Sequence, residues 1–345
     1  MAKVYNWGII GLGHIAEKFA ADIAMIPNAK LHAVASRTMD KALAFANKFN
    51  AVHAFGNYEE LMTCQDLDAI YIATPHPKHC ENTLMCLEHN IPVLCEKPFA
   101  MNSKEVRKMV GLAKFQKTFL MEALWTRFLP TTQKVLDLIA VGAIGEINTV
   151  KADFGFKANK DPKSRLFNQG LGGGALLDVG IYPVFIACLL LGKPSSISAE
   201  ASIGPTNVDE NCGMLLKFPN NKLAVLHASI ISKTKTEALI YGDKGIIQIH
   251  GRWHEPTSVT LYPEDGDPQD FFFDFDSNGY KYEILEVQEC LKKGMIESPE
   301  MPFDFSIDLM EILDDIRMQA GIYYPMYDHF TDKEIATKAN NFSQN

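Results

Sequence analysis

The stretch GIIGLGHIAEKFA, residues 8–20, decides the fold of the N-terminal part of the chain. It follows the run VYNW, and a β-branched and aromatic run that ends in glycines predicts a strand that stops abruptly. The segment after the glycines has apolar residues at helical spacing: Ile15, Phe19, Ile23 and Ile26. Strand, glycine turn and helix in this order form the context in which a G-x-G-x-x-G/A pattern indicates dinucleotide binding.

Gly11 and Gly13 occupy the first two positions of that pattern, and Ala16 takes the third. Gly11 would make the tight turn, and Gly13 would let the backbone approach a pyrophosphate at the helix N-terminus. His14 and Ile15 begin this helix and complete the predicted cofactor-binding turn. The alternative is a glycine-rich turn that binds no ligand.

Predicted strands and helices alternate as far as about Glu122, which is typical of a doubly wound parallel sheet. From about Ala143 onward, strand-like segments follow one another with short turns, interrupted by one apolar helix near 174–191. We therefore predict an α/β chain with two domains. Residues 1–123 form a Rossmann dinucleotide-binding domain, and residues 124–345 form an α+β substrate-binding and oligomerisation domain with an open, mostly antiparallel sheet.

The composition of the 345 residues restricts the possible partners. The formal charge is -9 without a long basic run, which argues against nucleic acid. Asp178 and Pro183 interrupt the apolar run 175–192, and the N-terminus does not resemble a signal peptide, so we expect no membrane partner. The seven cysteines are scattered without a C-x-x-C pair, which favours free thiols and a cytoplasmic location.

The end of the second predicted strand indicates which dinucleotide binds. KLHAVAS ends in Ser36, Arg37 and Thr38, where NAD-binding domains place an acidic residue. A guanidinium binds a 2′-phosphate bidentately, whereas a carboxylate would repel it. We therefore predict NADP, with NAD as the possible substitute; the alternative is that Arg37 is only a solvated loop charge.

Two further strand ends carry candidate residues, because ligands of doubly wound sheets bind outside the carboxyl ends of the strands. The fourth strand leads into Thr74, His76 and His79, and the fifth into Glu96 and Lys97. Lys97 stands between a strand end and a proline, although it could also be a surface lysine paired with Glu96. His76 and His79 are too few for a metal site, so we predict no metal.

The segment GLGGGALLDVGIYP, residues 170–183, forms a second constellation. Consecutive glycines admit close approach of another group, and Asp178 and Tyr182 have the spacing of one helix face. An isolated carboxylate on an apolar face is costly unless it is paired or functional. Pro183 removes a helical hydrogen bond, so we predict a bend near Tyr182. A core helix with a satisfied Asp and a packing Tyr is the alternative.

Together these motifs resemble the glucose–fructose oxidoreductase/inositol dehydrogenase (Gfo/Idh/MocA) family. The resemblance rests on four motifs in register: G-x-G-x-x-A, TPxxxH at 74–79, EKP at 96–98 and Asp-x-x-x-Tyr at 178–182. Most members of the family have His where this chain has Tyr182, which makes an inositol substrate less suitable. With EALWTRF at 122–128, the chain looks most like the branch of dimeric dihydrodiol dehydrogenases and NADP-dependent xylose dehydrogenases.

The resemblance implies hydride transfer between NADP and an alcohol or carbonyl of a sugar, polyol or dihydrodiol-type substrate. It implies that Tyr182 is the general acid/base, that Lys97 bridges substrate hydroxyl and cofactor, and that Asp178 orients or charge-balances this pair. A free tyrosine has a pKa of about 10, so ionising it near neutral pH costs roughly 4 kcal/mol, which a nearby cation can reduce. The implied cofactor contacts are Gly11, Gly13, His14, Ile15, Ser36, Arg37, Thr74, His76, His79, Glu96 and Lys97.

Candidates for the substrate wall are Trp125, Arg127 and Phe154, which could equally be packing residues. Two other functions fit the same fold: an NAD-dependent glycosidase and a non-catalytic NADP(H) sensor. The Ser36-Arg37 pair argues against the first, and the presence of both Lys97 and Tyr182 argues against the second.

The C-terminal sheet also predicts assembly. One of its faces would carry Val225, His227, Ile240 and Ile247 or their neighbours. So much exposed apolar surface is unusual for a monomer, and the resemblance points the same way. We therefore expect a homodimer or a dimer-based tetramer.

Overall fold

The computed structural model describes residues 3–328 and contains the strand, glycine turn and helix predicted at the N-terminus. The first sheet has six parallel strands in the order β3-β2-β1-β4-β5-β6. Its strands are β1 (Tyr5–Ile10), β2 (Ala29–Ala35), β3 (His53–Phe55), β4 (Ala69–Ile72), β5 (Val93–Glu96) and β6 (Leu120–Ala123). The helices between them are α1 (His14–Ile23), α2 (Met39–Phe49), α3 (Tyr58–Leu61), α4 (His79–Glu88) and α5 (Ser103–Gln116). The strand order reverses between β1 and β4, the place where doubly wound sheets bind ligands.

The second sheet has eight strands in the order β14-β13-β12-β11-β7-β10-β9-β8. These strands are β7 (Ile147–Gly155), β8 (Ser196–Ile203), β9 (Asp209–Lys217), β10 (Leu223–Ser229), β11 (Ala238–Gly242), β12 (Gly245–Ile249), β13 (Val259–Pro263) and β14 (Gln269–Phe271). All neighbours are antiparallel except β7 and β10, which run parallel. The helices are α6 (Pro130–Ala140) and α7 (Ile181–Leu191), and α7 packs on β7 and β10. The predicted fold class is confirmed.

The chain divides into two units at other points than the boundary predicted between residues 123 and 124. The first unit extends to Gln133 and also contains Phe273–Ile307, and the second contains Lys134–Phe272 and the described residues from Asp308 onward. Two more helices follow the second sheet: α8 (Lys281–Lys292) and α9 (Phe303–Ala320). Segment 273–307 joins the first unit because Asp22, buried in α1, accepts hydrogen bonds from the backbone of Asn278 and Lys281. A contact that spans more than 250 residues is not visible in local sequence patterns.

The two faces of the second sheet differ in exposure. Ile240 and Ile247 are fully buried on the face that α7 covers, so their predicted place on the open face is wrong. Side chains alternate along a strand, so the open face carries their neighbours Leu239, Tyr241, Ile246 and Gln248. On that face Leu215 and Val225 lie opposite each other and are 45% and 46% exposed, and half-buried His227 lies on the same face.

One helical stretch among the described residues, Gln169–Leu191, is long and apolar enough to cross a membrane. This differs from the expectation that Asp178 and Pro183 keep the run below that length. In the structure 83% of its apolar window is buried inside the protein. The core helix of a soluble protein can have the same length and apolar composition, so the segment is weak evidence for a membrane span.

Candidate active site

The glycine turn after β1 passes directly over the end of β4. Gly11 has a φ of 89°, and a Cβ there would lie 2.7 Å from the backbone of Ala73 and Thr74. Its N–H donates to the carbonyl of Ala35 at the end of β2. A side chain is therefore excluded at Gly11 both by the backbone conformation and by the lack of space.

The N-terminus of α1 is suited to an anion. Gly13 is the N-cap residue, no side chain caps the helix, and a Cβ at Gly13 would meet no heavy atom within 4 Å. His14 and Ile15 are exposed beside it, whereas Phe19 and Ile23 are buried in the core. The apolar stripe of α1 thus excludes Ile15, contrary to the predicted spacing. Backbone N–H groups at an uncapped helix start fit the pyrophosphate of a dinucleotide.

The carboxyl end of β2 presents one buried and one exposed residue. Ser36 is buried, and its backbone N–H donates to the carbonyl of Phe55 at 3.1 Å. Arg37 follows at the surface. Burial raises the pKa of the nearby Tyr58, and the positive charge of Arg37 acts against that rise. A guanidinium is thus accessible at the strand end where the adenosine ribose binds in Rossmann domains.

His79 holds together the loops that follow β4 and β5. Its ring is fully buried, with Nε2 2.8 Å from the carbonyl of Thr74 and Nδ1 2.8 Å from the carbonyl of Pro98. Asn82 donates to the hydroxyl of Thr74 from the next turn of α4. His76 is also buried, with its ring centroid 5.7 Å from that of His79. His79 is thus in a position to fix the loops rather than to present a surface to a cofactor.

The end of β5 places Lys97 beside two carboxyl groups. The hydroxyl of Tyr71 donates to Oε1 of Glu96, and the backbone N–H of Lys97 donates to Oε2 of the same carboxylate at 3.2 Å. These bonds fix Glu96 at the strand end, so the half-buried Lys97 side chain leaves a rigid backbone.

Glu122, at the end of β6, is a fully buried carboxyl group in the same neighbourhood. Its Oε1 accepts a hydrogen bond from the N–H of Phe99 at 3.1 Å. Burial raises the pKa of Glu122 to about 7, although hydrogen bonds from Ser306 and Phe99 and the charge of Lys97 act in the opposite direction. Sequence reasoning missed this residue; a single acidic residue in the strand TFLMEA was the available signal.

Two of the three residues predicted to contact substrate, Trp125 and Arg127, contact other residues of the first unit. The ring of Trp125 stacks on Tyr280 at a centroid distance of 4.7 Å. Arg127 is buried, and its guanidinium donates to the carbonyl and the carboxylate of Glu300. This arrangement favours the packing alternative for Trp125 and Arg127.

In the second unit, the glycine run brings Asp178 to a partner. A Cβ on Gly173 would lie 2.5 Å from the carbonyl oxygen of Arg165, so the glycine permits the two segments to touch. The guanidinium of Arg165 then donates to Oδ1 of Asp178 at 2.7 Å. Asp178 is buried, and this ion pair offsets the cost of burying its charge. Sequence analysis did not identify Arg165.

The segment of Asp178 and Tyr182 is not one continuous α-helix. Residues Leu176–Gly180 form a π-helical turn, and α7 begins at Ile181. The segment thus departs from the regular helix on which the predicted four-residue stack is based, and this departure lies just before Tyr182, where the sequence predicts a bend. Pro183 has no N–H to donate to Val179, and a π-turn accommodates the lost hydrogen bond.

Aromatic rings surround Tyr182, which is only 5% exposed. Its ring centroid lies 5.6 Å from Phe154, 6.5 Å from Trp253 and 5.2 Å from His254. Phe154 and His254 stack at 3.8 Å. The structure thus brings Phe154 together with Tyr182, as the candidate substrate wall requires. Trp253 and His254 were missed, and the RWHEP stretch at 252–256 was the signal that could have indicated them.

The carboxylate of Glu255 lies close to the imidazole of His254. Nε2 of His254 lies 3.6 Å from Oε1 of Glu255, which also forms an ion pair with Arg252. Burial acts to raise the pKa of Glu255, but hydrogen bonds from Arg252 and His254 outweigh it and lower the pKa to about 2. Glu255 therefore remains a carboxylate and orients the imidazole beside Tyr182.

The family comparisons match both parts of the chain. Residues 5–124 match the description "Oxidoreductase family, NAD-binding Rossmann fold", and residues 132–248 match the "GFO/IDH/MocA C-terminal domain". Trans-1,2-dihydrobenzene-1,2-diol dehydrogenase of Mus musculus is 38% identical over 330 residues, which cover 93% of this chain and 98% of the relative. The enzyme of the same name from Xenopus tropicalis is 36% identical over 332 residues, with 93% and 99% covered. The predicted resemblance is confirmed.

Solved structures share the fold at lower identity. The 3-ketoreductase KijD10 from Actinomadura kijaniata, in complex with NADP and TDP-benzene, has a TM-score of 0.84 at 24% identity. Aldose-aldose oxidoreductase from Caulobacter crescentus, complexed with glycerol, has a TM-score of 0.85 at 23% identity. Both alignments cover 92% of this chain and 98% of the other.

Proposed function

Because the chain belongs to the Gfo/Idh/MocA family of NAD(P)-dependent oxidoreductases, we propose that it interconverts an alcohol and a carbonyl with NADP as the preferred cofactor. The substrate class is a trans-dihydrodiol or a related sugar or polyol. The observation that carries this proposal is Tyr182, which lies next to the π-turn of Asp178 and is enclosed by Phe154, Trp253 and His254.

The cofactor preference is supported by the exposed Arg37 at the end of β2. Its guanidinium can bind a 2′-phosphate through two parallel hydrogen bonds, which NAD does not offer. Gly11 and Gly13 would hold the pyrophosphate at the start of α1, with Ser36 beside the ribose. When bound, the nicotinamide supplies or accepts the hydride. We assign a positioning role to His79, because its ring contacts backbone carbonyls in the loops that contain Thr74 and Lys97.

We assign the proton exchange to the hydroxyl of Tyr182 and the assistance of that exchange to the ammonium group of Lys97. The aromatic rings around Tyr182 restrict its rotation and exclude water, so the hydroxyl would meet the substrate in one orientation. Asp178 would balance positive charge in the site, and its ion pair with Arg165 holds it in place.

The substrate preference is supported by the aromatic surface beside Tyr182. Phe154, His254 and Trp253 offer flat faces of the kind that pack against the apolar face of a sugar or a cyclohexadiene diol. The similarity to trans-1,2-dihydrobenzene-1,2-diol dehydrogenases supports the diol in particular.

A spectrophotometric screen tests the proposal. The purified full-length protein is incubated with NADP⁺ or NAD⁺ and with trans-dihydrobenzenediol, aldoses or polyols, while reduced cofactor is followed by absorbance. We expect turnover with NADP⁺ and at least one diol or sugar. Cleavage of a chromogenic glycoside without net reduction would indicate a glycosidase, and tight NADPH binding without turnover of any substrate would indicate a sensor.

We further propose that the protein is a homodimer, or a tetramer made of two dimers, joined through the second sheet. The support is the open face of that sheet, where Leu215, Val225, Leu223 and Tyr262 are between 36% and 46% exposed. Contiguous apolar surface of this kind is commonly covered by a second subunit.

The proposed location is the cytoplasm. All seven cysteines lie among the described residues and are free, and six of them are buried. Free thiols persist in a reducing compartment, which supports this location.

A further inference from the structure

Three potential metal ligands meet in the first unit, away from the residues discussed above. They are His32 in β2, His53 at the start of β3 and Cys64 in the segment before β4. One ligand atom from each residue lies within 4.8 Å of the other two. The three come from separate elements, so their convergence follows from the fold and not from a local sequence motif.

The cluster shares no residue with the predicted cofactor site. His32 is the middle residue of β2 and His53 is the first residue of β3, whereas the predicted cofactor residues follow the carboxyl ends of the strands. Cys64 lies in the segment that leads into β4. A ligand here would therefore not compete with NADP.

The surroundings of the cluster suit a cation. Nδ1 of His32 is buried and has no hydrogen-bond partner, and its ring centroid lies 5.0 Å from that of His53. Asp66 adds negative charge that acts on both His32 and Cys64.

Access from solvent also suits a metal site. Cys64 is the one cysteine of the seven, all of them within the described residues, that is not buried, and His53 is exposed, so an ion can enter from solvent. Burial and Asp66 raise the pKa of the Cys64 thiol, so a bound metal would have to displace its proton.

We propose that His32, His53 and Cys64 form a binding site for a thiophilic divalent metal ion, and that this ion is Zn²⁺. Two imidazoles and one thiolate are a donor set that zinc accepts, with a water molecule in the fourth position. Zinc–ligand distances of about 2.1 Å for nitrogen and 2.3 Å for sulfur place ligand atoms roughly 3.5 Å apart, so the three side chains need to close by about 1 Å.

The bound ion would link the edge strand β3 to β2 and to the segment before β4, because each of the three contributes one ligand. β3 has only three residues and pairs within the sheet with β2 alone. Zinc that binds the folded protein and not the unfolded chain would raise the melting temperature of the protein.

The test is zinc binding by the full-length protein, measured by competition with a chromogenic chelator after metal has been removed. We expect one equivalent of Zn²⁺, and Cys64→Ser and His53→Gln should each weaken binding about tenfold or more, because loss of a ligand should cost at least as much as loss of a ligand's hydrogen-bond partner. His89→Ala, which removes an exposed imidazole at the end of α4, is the matched control and should leave the affinity unchanged.

Thermal unfolding provides the second measurement and verifies that the variants fold. Zn²⁺ should raise the melting temperature of the unmodified protein and of His89→Ala but not that of Cys64→Ser, and Mg²⁺ should raise none of them. The proposal is wrong if the protein binds no stoichiometric zinc, or if Cys64→Ser and His53→Gln bind it as tightly as the unmodified protein.

Discussion

At the scale of single residues, the cofactor preference depends on one cation. Arg37 is exposed at the end of β2, directly after the buried Ser36. A charge-assisted hydrogen bond contributes about 1.5–3 kcal/mol, which corresponds to roughly tenfold to a hundredfold in affinity. The guanidinium alone can therefore decide between the two dinucleotides.

We predict that NADPH binds about tenfold or more tightly than NADH, and that Arg37→Asp erases or reverses this preference, because a carboxylate repels the 2′-phosphate. Calorimetric titration with both cofactors measures it. Lys30→Asp, which removes an exposed cation at the other end of β2, should leave the preference intact. Equal affinities for both cofactors in the unmodified protein would contradict the role of Arg37.

We predict that Tyr182→Phe and Lys97→Met each lower turnover by about a hundredfold or more, the scale of losing a positioned proton-transfer group. NADPH binding should change little, since the glycine turn and Arg37, which would hold the pyrophosphate and the 2′-phosphate, stay intact and Lys97 is only one of the cofactor contacts. The measurements are steady-state kinetics and cofactor titration. Tyr262→Phe, which removes a hydroxyl on the open face of the second sheet, is the control. Normal turnover in Tyr182→Phe would shift the search for the acid/base to His254 or His76.

At the scale of elements, one carboxyl group joins the loop after β5 to strand β6. Glu122 ends β6 and accepts the N–H of Phe99, two residues beyond Lys97. Its pKa rises from 4.5 to about 7, chiefly through burial. The loop that contains Lys97 and Phe99 is therefore hydrogen-bonded to a carboxyl group whose protonation changes near neutral pH.

This shift predicts a pH dependence of stability. Between pH 4.5 and about 7 the folded protein keeps a proton that the unfolded chain releases, so the contribution of Glu122 is complete below the lower value and is lost as the pH rises through the upper one. The change is at most on the order of 3 kcal/mol in the free energy of unfolding.

Glu122→Gln should flatten the fall in the free energy of unfolding over this pH range, because the amide does not titrate. Chemical denaturation at several pH values measures it, with the exposed Glu88→Gln as control. Part of the slope should persist, since burial also raises the pKa of Asp209 to about 7. An unchanged slope in Glu122→Gln would contradict the assignment.

At the scale of the whole molecule, the second sheet has one face covered by α7 and one exposed face. Leu215 and Val225 are directly paired across β9 and β10 on the exposed face. A charge placed there would lose hydration if a second subunit covered this face.

We predict a mass in solution of about twice 38.5 kDa or a multiple of it, measured by light scattering at micromolar concentration. Leu215→Glu should shift the population towards monomer, whereas Phe115→Glu, which changes an exposed side chain in the first unit, should not. A mass near 38.5 kDa for the unmodified protein would refute the dimer.

The sequence by itself determined those features that depend on neighbouring residues. The turn at Gly11 requires a positive φ and no Cβ, and the strand and helix on either side have the matching side-chain periods. The same holds for the buried strand of residues 69–72 and for the irregular helix around Pro183. Each can be read from a window of about ten residues.

Only the tertiary structure decided the features that join distant segments. Asp22 binds Asn278, Arg165 reaches Asp178 across a glycine contact, and the ring of His254 lies against Phe154. Side-chain periodicity states which face of an element is buried, but not which residue of another element meets it there. The raised pKa of Glu122 and the convergence of His32, His53 and Cys64 were therefore decided only by folding, because both depend on the distance between residues that local sequence patterns do not specify.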